Sequence, residues 1–111
     1  MELRSQLWDS KRFFLNVFRM MTRRLRITGY VQGVGYRYAL RQEARKRGAT
    51  GWVRNRADGS VEALLQGGPQ AVEELIAWAR SGPPASRVAD VRIEMPDSEE
   101  RYREFELRPT V

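Results

Sequence analysis

The chain of 111 residues contains no cysteine and no histidine, and each absence excludes a class of chemistry. Without cysteine there are no disulfides, thiolate nucleophiles, Fe–S clusters or zinc–thiolate sites. Without histidine there is no Ser–His or Cys–His nucleophile pair, no imidazole acid–base catalysis and no imidazole metal ligand. Any chemistry must therefore use arginine, carboxylates, amides, hydroxyls or backbone N–H groups. The sequence shows no cluster of metal ligands, and we expect neither a metal nor another cofactor.

Lysine is scarce as well. The chain has 20 Lys+Arg against 14 Asp+Glu, a net charge of +6, and its only lysines are Lys11 and Lys46. Arginine presents a planar fork that suits phosphate and carboxylate groups, where lysine offers a point charge. A basic chain invites a nucleic-acid hypothesis, but net charge describes attraction and solubility rather than function. We interpret most of these arginines as part of a solvated surface.

The first 22 residues differ from the rest of the chain. Their apolar cluster is interrupted by Asn16 and Arg19, so it falls short of the roughly 20 apolar residues that a membrane-spanning helix needs. A clean apolar segment followed by a small-residue cleavage site is missing too, so we expect a cytoplasmic protein with no membrane partner. Three interpretations stay open: an extension from an upstream start, since Met20 and Met21 could each begin translation, a docked helix, or a membrane-surface segment. We favour an N-terminal extension over 1–22, dispensable or disordered, before a single domain over 23–111.

From residue 23 onward the apolar pattern is regular. Leu25 and Ile27 alternate with polar residues and predict a strand. A helix is predicted from about 37 to 47, with Gly48 as its stop. Strands over 51–56 and 60–66 flank Asp58 and Gly59, and an Asp-Gly pair between two strands is a strong hairpin signal. This half of the domain therefore reads strand, helix, hairpin.

The second helix is the clearest element of the sequence. Its apolar residues fall at i, i+3, i+4 and i+7, with Pro69 suited to the first turn and Gly82 just beyond the end; they are Val72, Leu75, Ile76 and Ala79. Alternation at 91, 93 and 95 predicts a fourth strand, and 105 and 107 a short fifth. The order predicts an α+β fold of the ferredoxin-like type. This is a split β-α-β sandwich, an antiparallel sheet of four to five strands with two helices on one face.

The loop between the first strand and the first helix, residues 29–37, is the candidate site. Gly33 and Gly35 allow backbone conformations in which successive N–H groups form a concave nest. The first helical turn adds unpaired N–H groups and the positive end of the helix dipole, which suits a phosphate-sized anion. Arg37 would add a bidentate charged pair. The glycine spacing fits no common phosphate fingerprint, and from the residues alone a tight turn is an equally good interpretation.

Two motifs resemble those of the acylphosphatase family. Residues 29–37, Gly-Tyr-Val-Gln-Gly-Val-Gly-Tyr-Arg, look like its first signature, with Tyr36 where the family usually has phenylalanine. Residues 51–55, Gly-Trp-Val-Arg-Asn, followed by Gly59, Val61 and Gly67, look like its second. The resemblance covers about residues 23–108, and the family core needs no extension like 1–22.

The resemblance implies a metal-independent hydrolase that cleaves the carboxyl–phosphate bond of acyl phosphates to carboxylate and inorganic phosphate. It implies that Arg37 binds the phosphoryl group and that Asn55 positions the attacking water. The backbone N–H groups that would surround the phosphoryl group are those of Gln32, Gly33, Val34, Gly35, Tyr36 and Arg37. A carboxylate leaves without a general acid, and a loose transition state mainly needs positive charge and N–H donors, so a chain without histidine suits this reaction. From the residues alone, Asn55 reads as an ordinary residue ahead of a hairpin.

The alternative is a small basic RNA-binding domain of similar topology without catalysis. Such domains stack bases on aromatic side chains of the third strand, whereas the third strand here has no aromatic residue and contains Glu62. Trp52 and Tyr30 could stack bases, but two scattered aromatics more often pack against a sheet or cover it. An acylphosphatase-like module kept for binding within a larger system is a third interpretation. We expect a monomer that acts on a small acyl phosphate and binds no nucleic acid.

Overall fold

The computed structural model describes residues 20–111, which form five strands and two helices. In chain order these are β1 (Met21–Tyr30), α1 (Tyr36–Lys46), β2 (Thr50–Asn55), β3 (Val61–Gly67), α2 (Pro69–Ser81), β4 (Arg87–Glu94) and β5 (Phe105–Leu107). The order confirms the predicted α+β fold. Strand β1 begins at Met21, two residues before the predicted domain boundary, and it runs on through Gly29 and Tyr30, where the sequence predicted the loop. The rest of the expected extension, residues 1–19, lies outside the described residues.

The core lies between the two helices and one face of the sheet. Strand order is β4-β1-β3-β2-β5, so β1 and β3 occupy the interior. The predicted stripe of α2 is buried at Val72, Leu75 and Ala79, each 0% exposed, because these residues recur on one helix face. Leu25 and Ile27 of β1 meet that face from the sheet and are also 0% exposed. Burial of these alternating residues fixes which face of each strand points to the helices.

The sheet is mixed, which corrects the predicted antiparallel sheet. Strands β1, β3, β2 and β4 pair antiparallel, but β5 pairs parallel with β2, through Gly51 with Phe105 and Val53 with Leu107. The direction follows from the path of the chain. Strand β4 finishes at the end of the sheet where β2 begins. The chain crosses the sheet at that end, and β5 then runs alongside β2 in the same direction.

The crossing segment, residues 95–104, is held to the sheet by one buried amide. Gln66 of β3 is 1% exposed, and its Nε2 donates to the Glu100 carbonyl at 2.9 Å and to the Thr22 hydroxyl at 3.1 Å. The backbone N–H of Tyr102 donates to Gln66 Oε1 at 2.9 Å. A buried amide side chain requires such partners, and here they fix the path that leads to β5.

Candidate active site

The loop that joins β1 to α1 is anchored by a buried residue at each end. Val31 and Tyr36 are each 1% exposed. The Tyr36 hydroxyl donates to the Ala79 carbonyl of α2 at 2.8 Å, and its ring lies 5.6 Å from the ring of Trp78. Burial raises the pKa of the Tyr36 hydroxyl, so this group stays a neutral donor. The start of α1 is thereby fixed against the end of α2.

The exposed middle of the loop adopts the backbone conformation that the glycines allow. Gly33 and Gly35 have φ values of +74° and +81°, in the left-handed region that other residues rarely enter. A Cβ at either position would meet no atom within 4 Å, so backbone conformation and not crowding requires glycine. Left-handed residues placed in this way are typical of anion-binding nests.

The N-terminus of α1 has no protein cap. Gly35 stands at the cap position, so no side chain there accepts from the first helical N–H groups, and the first turn has no acidic residue. Within residues 20–111, no backbone hydrogen bond in a turn, loop or cap is donated by the N–H groups of 32–38. A helix start usually satisfies these donors with Ser, Thr, Asp or Asn. Uncapped donors and the helix dipole together favour an anion at this position.

Asn55 ends β2 at the same edge of the sheet as this loop. Strands β1 and β2 both run antiparallel to β3, so their carboxyl ends lie together. Gln32 joins the two, because its Nε2 donates to the carbonyls of Arg56 and Ser60, each at 2.8 Å. The structure therefore brings the predicted loop, with Arg37 at the start of α1, to the end of the strand that carries Asn55.

The side chain of Asn55 faces the helix side of the sheet. Asn55 is two residues from Val53, which is 0% exposed in the core, so the two side chains share a face. Its Oδ1 is buried and has no hydrogen-bond partner within residues 20–111. Buried polar atoms nearly always have a partner, and an acceptor left open beside an anion-binding loop indicates a place for a ligand or a water molecule.

Two contacts that hold this site were not predicted from the sequence. One is the side chain of Gln32, which the sequence placed in the loop only for its backbone. The other is the segment after β5, where Val111 N–H donates to the Asn55 carbonyl at 3.2 Å and Ala57 N–H donates to the Val111 carbonyl at 2.7 Å. Both contacts join residues that are far apart in sequence, so no local sequence pattern predicts them.

The opposite face of the sheet carries charge and a covered aromatic. Glu62 is 4% exposed and accepts from Arg54 Nε at 2.8 Å and from Arg56 at 3.0 Å. Trp52 is 6% exposed, with the guanidinium carbons of Arg54 and Arg108 lying 4.6 and 5.0 Å from its ring. Trp52 is therefore covered and unavailable to stack a base. Tyr30, 62% exposed, is open.

The ion pairs of Glu62 predict an acid-sensitive contribution to stability. Burial alone would raise the pKa of its carboxyl, but the hydrogen bonds from Arg54 and Arg56 outweigh burial and hold that pKa below its ordinary value. A carboxyl whose pKa is lowered by folding stabilises the fold above its unfolded pKa, and this contribution is lost as pH falls through the folded pKa. We expect Glu62→Gln to lower the free energy of unfolding by about 2 kcal/mol at neutral pH.

Urea unfolding of the wild type and the variant, at neutral pH and at about pH 3, measures this contribution. The difference between the two proteins should shrink in acid. Glu94→Gln is the matched control, since Glu94 pairs with Arg24 at 3.0 Å but its side chain is 28% exposed, and a smaller loss is expected. A difference for Glu62→Gln that stays constant with pH would contradict the assignment.

A separate concavity lies away from the loop that joins β1 to α1. A cavity of about 530 Å³ lies at the beginning of β1, and its lining includes Met20, Met21, Pro69 and Met95 but none of the loop residues and not Asn55. The candidate site lies at the opposite end of the sheet from this cavity. Neither helix in residues 20–111 has the length and hydropathy that crossing a membrane requires.

Fold and loop together define an α+β domain of the ferredoxin-like type with an anion-binding loop between its first strand and first helix. The family model for acylphosphatases matches residues 23–107, and the chain belongs to the acylphosphatase family. An acylphosphatase from Thiobacillus denitrificans is 49% identical over 89 residues, which cover 80% of this chain and 98% of that relative. One from Thermococcus kodakarensis is 53% identical over 75 residues, 68% of this chain and 82% of that one.

A solved structure agrees with the sequence relatives. The crystal structure of an acylphosphatase from Bacillus subtilis matches with a TM-score of 0.75 and 37% identity, over 80% of this chain and 98% of that one. An acylphosphatase from Coxiella burnetii matches with a TM-score of 0.78 and 31% identity, over 84% and 97%. Membership of the family therefore rests on sequence and on structure.

Proposed function

We propose that this enzyme hydrolyses acyl phosphates, with the loop over 32–37, Arg37 and Asn55 as its site. Water attacks phosphorus, the bond from phosphorus to the acyl oxygen breaks, and a carboxylate and inorganic phosphate leave. The observation that carries the proposal is the uncapped start of α1, where Gly33 and Gly35 take left-handed conformations and no acidic residue stands in the first turn. Such a site is built for an anion rather than for a cation or a neutral group.

Arg37 supplies the positive charge that the loop lacks. It is the second residue of α1, and no carboxylate within residues 20–111 pairs with it. A guanidinium forms two parallel hydrogen bonds to phosphoryl oxygens, and N–H donors fixed in advance stabilise the charge that develops on them. Arg37 and the loop would therefore bind the phosphoryl group. Their hydrogen bonds to its oxygens would strengthen as the phosphoryl group approaches the transition state.

Asn55 orients the attacking water molecule. Its open Oδ1, buried on the helix side of β2, accepts a hydrogen bond from a water molecule placed for attack on the phosphoryl group. Phosphoryl transfer passes through a loose transition state that asks little of a general base, so orientation of the water is the main requirement. An amide that does not titrate near neutral pH satisfies that requirement.

The leaving group explains why the site needs no acid. A carboxylate has a pKa of roughly 4 and departs unprotonated at neutral pH, whereas an alkoxide requires a proton donor. Because the carboxylate leaves unprotonated, the reaction needs no histidine to act as a general acid.

A substrate panel tests the proposal. The full chain is expected to hydrolyse benzoyl phosphate and to leave alkyl phosphate monoesters essentially untouched, because only the carboxylate leaves without an acid. Release of inorganic phosphate and loss of the benzoyl phosphate absorbance measure both reactions, with chelator present as the control for contaminating metal-dependent phosphatases. Comparable rates on both substrate types would sink the proposed mechanism.

The same panel, run on a chain that begins at Met21, examines the extension. We propose that the part of the expected extension that precedes Met21 is dispensable for hydrolysis, that the enzyme works as a monomer, and that it acts in the cytoplasm. The family match begins at Arg23, and the loop, Arg37 and Asn55 all belong to one chain, so no second copy is needed to complete the site. Equal kcat/KM for both chains is expected, and a large loss on truncation would assign the extension to the active enzyme.

A further inference from the structure

Helix α1 carries a row of three arginines on one flank. Arg37, Arg41 and Arg45 are spaced by four residues, so their side chains follow one another along the helix. Arg45 donates to the Phe105 carbonyl of β5 at 3.4 Å, which places this flank over the edge of the sheet formed by β2 and β5. Because β2 ends in Asn55, the row leads along that edge toward the proposed site.

Arg41 reaches toward the beginning of the helix. Side chains on a helix lean toward its N-terminus and cover the preceding turn. The guanidinium carbon of Arg41 accordingly lies 5.3 Å from the centre of the Tyr38 ring, and Tyr38 is the third residue of α1. The Arg41 guanidinium is therefore at the level of the first turn, the turn that also carries Arg37.

The charge of Arg41 is not neutralised by the described part of the chain. Within residues 20–111 no carboxylate lies within ion-pair distance of it, and its Nε is buried without a hydrogen-bond partner. Arg24, Arg47 and Arg54 show the contrast, since each pairs with a carboxylate at 3.1 Å or closer. A guanidinium without a carboxylate partner in the described chain can take one from a ligand.

Building on the function proposed above, we propose that Arg41 determines substrate specificity by binding a second negative charge on the acyl part of the substrate. The favoured class is an acyl phosphate of a short dicarboxylic acid, with one carboxyl phosphorylated and the other free. Arg37 and Arg41 are four residues apart, about 6 Å along the helix axis, a separation that a short carbon chain between two carboxyl groups spans. The planar fork of arginine matches the free carboxylate, and the Tyr38 ring holds the guanidinium in place.

The test compares two substrates that differ by one group. The mixed anhydride of phosphate with succinic acid carries a free carboxylate, and the anhydride with butyric acid has a methyl group in its place. For the full wild-type chain we expect kcat/KM to favour the succinic substrate about fivefold, the upper end of what one charged contact partly exposed to water contributes. In Arg41→Gln this ratio should fall to about one, and in Arg41→Lys it should be intermediate.

Arg45→Gln is the matched control, because it removes the same charge from the same row one turn further from the site. Its substrate ratio should equal that of the wild type, and raising the salt concentration should reduce the wild-type ratio. An equal loss on both substrates in Arg41→Gln, or a ratio that Arg45→Gln lowers as much, would overturn the specificity role. Hydrolysis of neither substrate by the wild type would instead refute the proposed function, so the two failures are distinct.

Discussion

Replacing Arg37 by glutamine is expected to lower kcat/KM for benzoyl phosphate by about a hundred- to a thousandfold, which corresponds to about 3–4 kcal/mol of lost transition-state stabilisation. The physical reason is that the loop over 32–37 offers only partial charges, from N–H groups and the helix dipole, while Arg37 is the full charge at the helix start. Inorganic phosphate, measured as a competitive inhibitor, should bind more weakly in the variant as well, because the same guanidinium meets the ground-state anion.

Arg37→Lys separates charge from geometry. Lysine keeps the positive charge but loses the planar fork that meets two phosphoryl oxygens at once, so most of the activity should still be lost. Arg101→Gln is the control for net charge, since Arg101 lines the cavity at the opposite end of β1. An Arg37→Lys enzyme with activity near the wild type would show that a point charge suffices and would contradict the bidentate contact.

Local sequence patterns were sufficient for the helices and the hairpin. The apolar stripe at Val72, Leu75 and Ala79 identified α2. A helix of this length buries one face, so its apolar residues recur at helical spacing. The Asp58–Gly59 turn likewise depends on adjacent residues, since Gly59 has a φ of +92° and the Asp58 carboxylate accepts from the Ser60 N–H at 2.9 Å. Helices and turns that are determined by residues within about ten positions of one another could therefore be predicted from the sequence.

Pairing across the sheet was not open to prediction in the same way. Strand β5 has three residues, Phe105–Leu107, and its parallel direction depends on where β4 ends and on the anchoring of the crossing segment by Gln66. Neither cause is near β5 in the sequence. The same holds for Trp52, because the sequence left both stacking and packing open for its ring, and its exposure is decided by Arg54 and by the distant Arg108.

The candidate site was predicted in part from its residues and in part from family resemblance. Gly33, Gly35 and Arg37 indicate an anion site on local grounds, although a tight turn explains the glycines equally well until the uncapped helix start is seen. Asn55 has no such local reason. Its place beside the loop depends on β1 and β2 running in the same direction and on Gln32 joining the loop to the hairpin, and both are tertiary features.

Replacing Asn55 by alanine is expected to separate turnover from binding. If Asn55 orients the water, kcat should fall by about a hundredfold, the usual cost of a misplaced reactant, while inhibition by inorganic phosphate stays within a few-fold of the wild type. Stability should change little, because the hydrogen bond between Asn55 and Val111 is made by the Asn55 backbone carbonyl. A thermal melt of the variant provides that control.

Asn55→Asp sharpens the distinction between orientation and charge. Aspartate keeps a side-chain oxygen at the same reach, so it retains an acceptor for water, but its negative charge lies beside the phosphoryl group and repels it. We expect weaker phosphate inhibition and low kcat in Asn55→Asp, against near-normal inhibition and low kcat in Asn55→Ala. A loss of phosphate affinity in the alanine variant, matching that of Arg37→Gln, would instead make Asn55 part of the phosphate-binding surface, since an oriented water contributes nothing to the binding of the product anion.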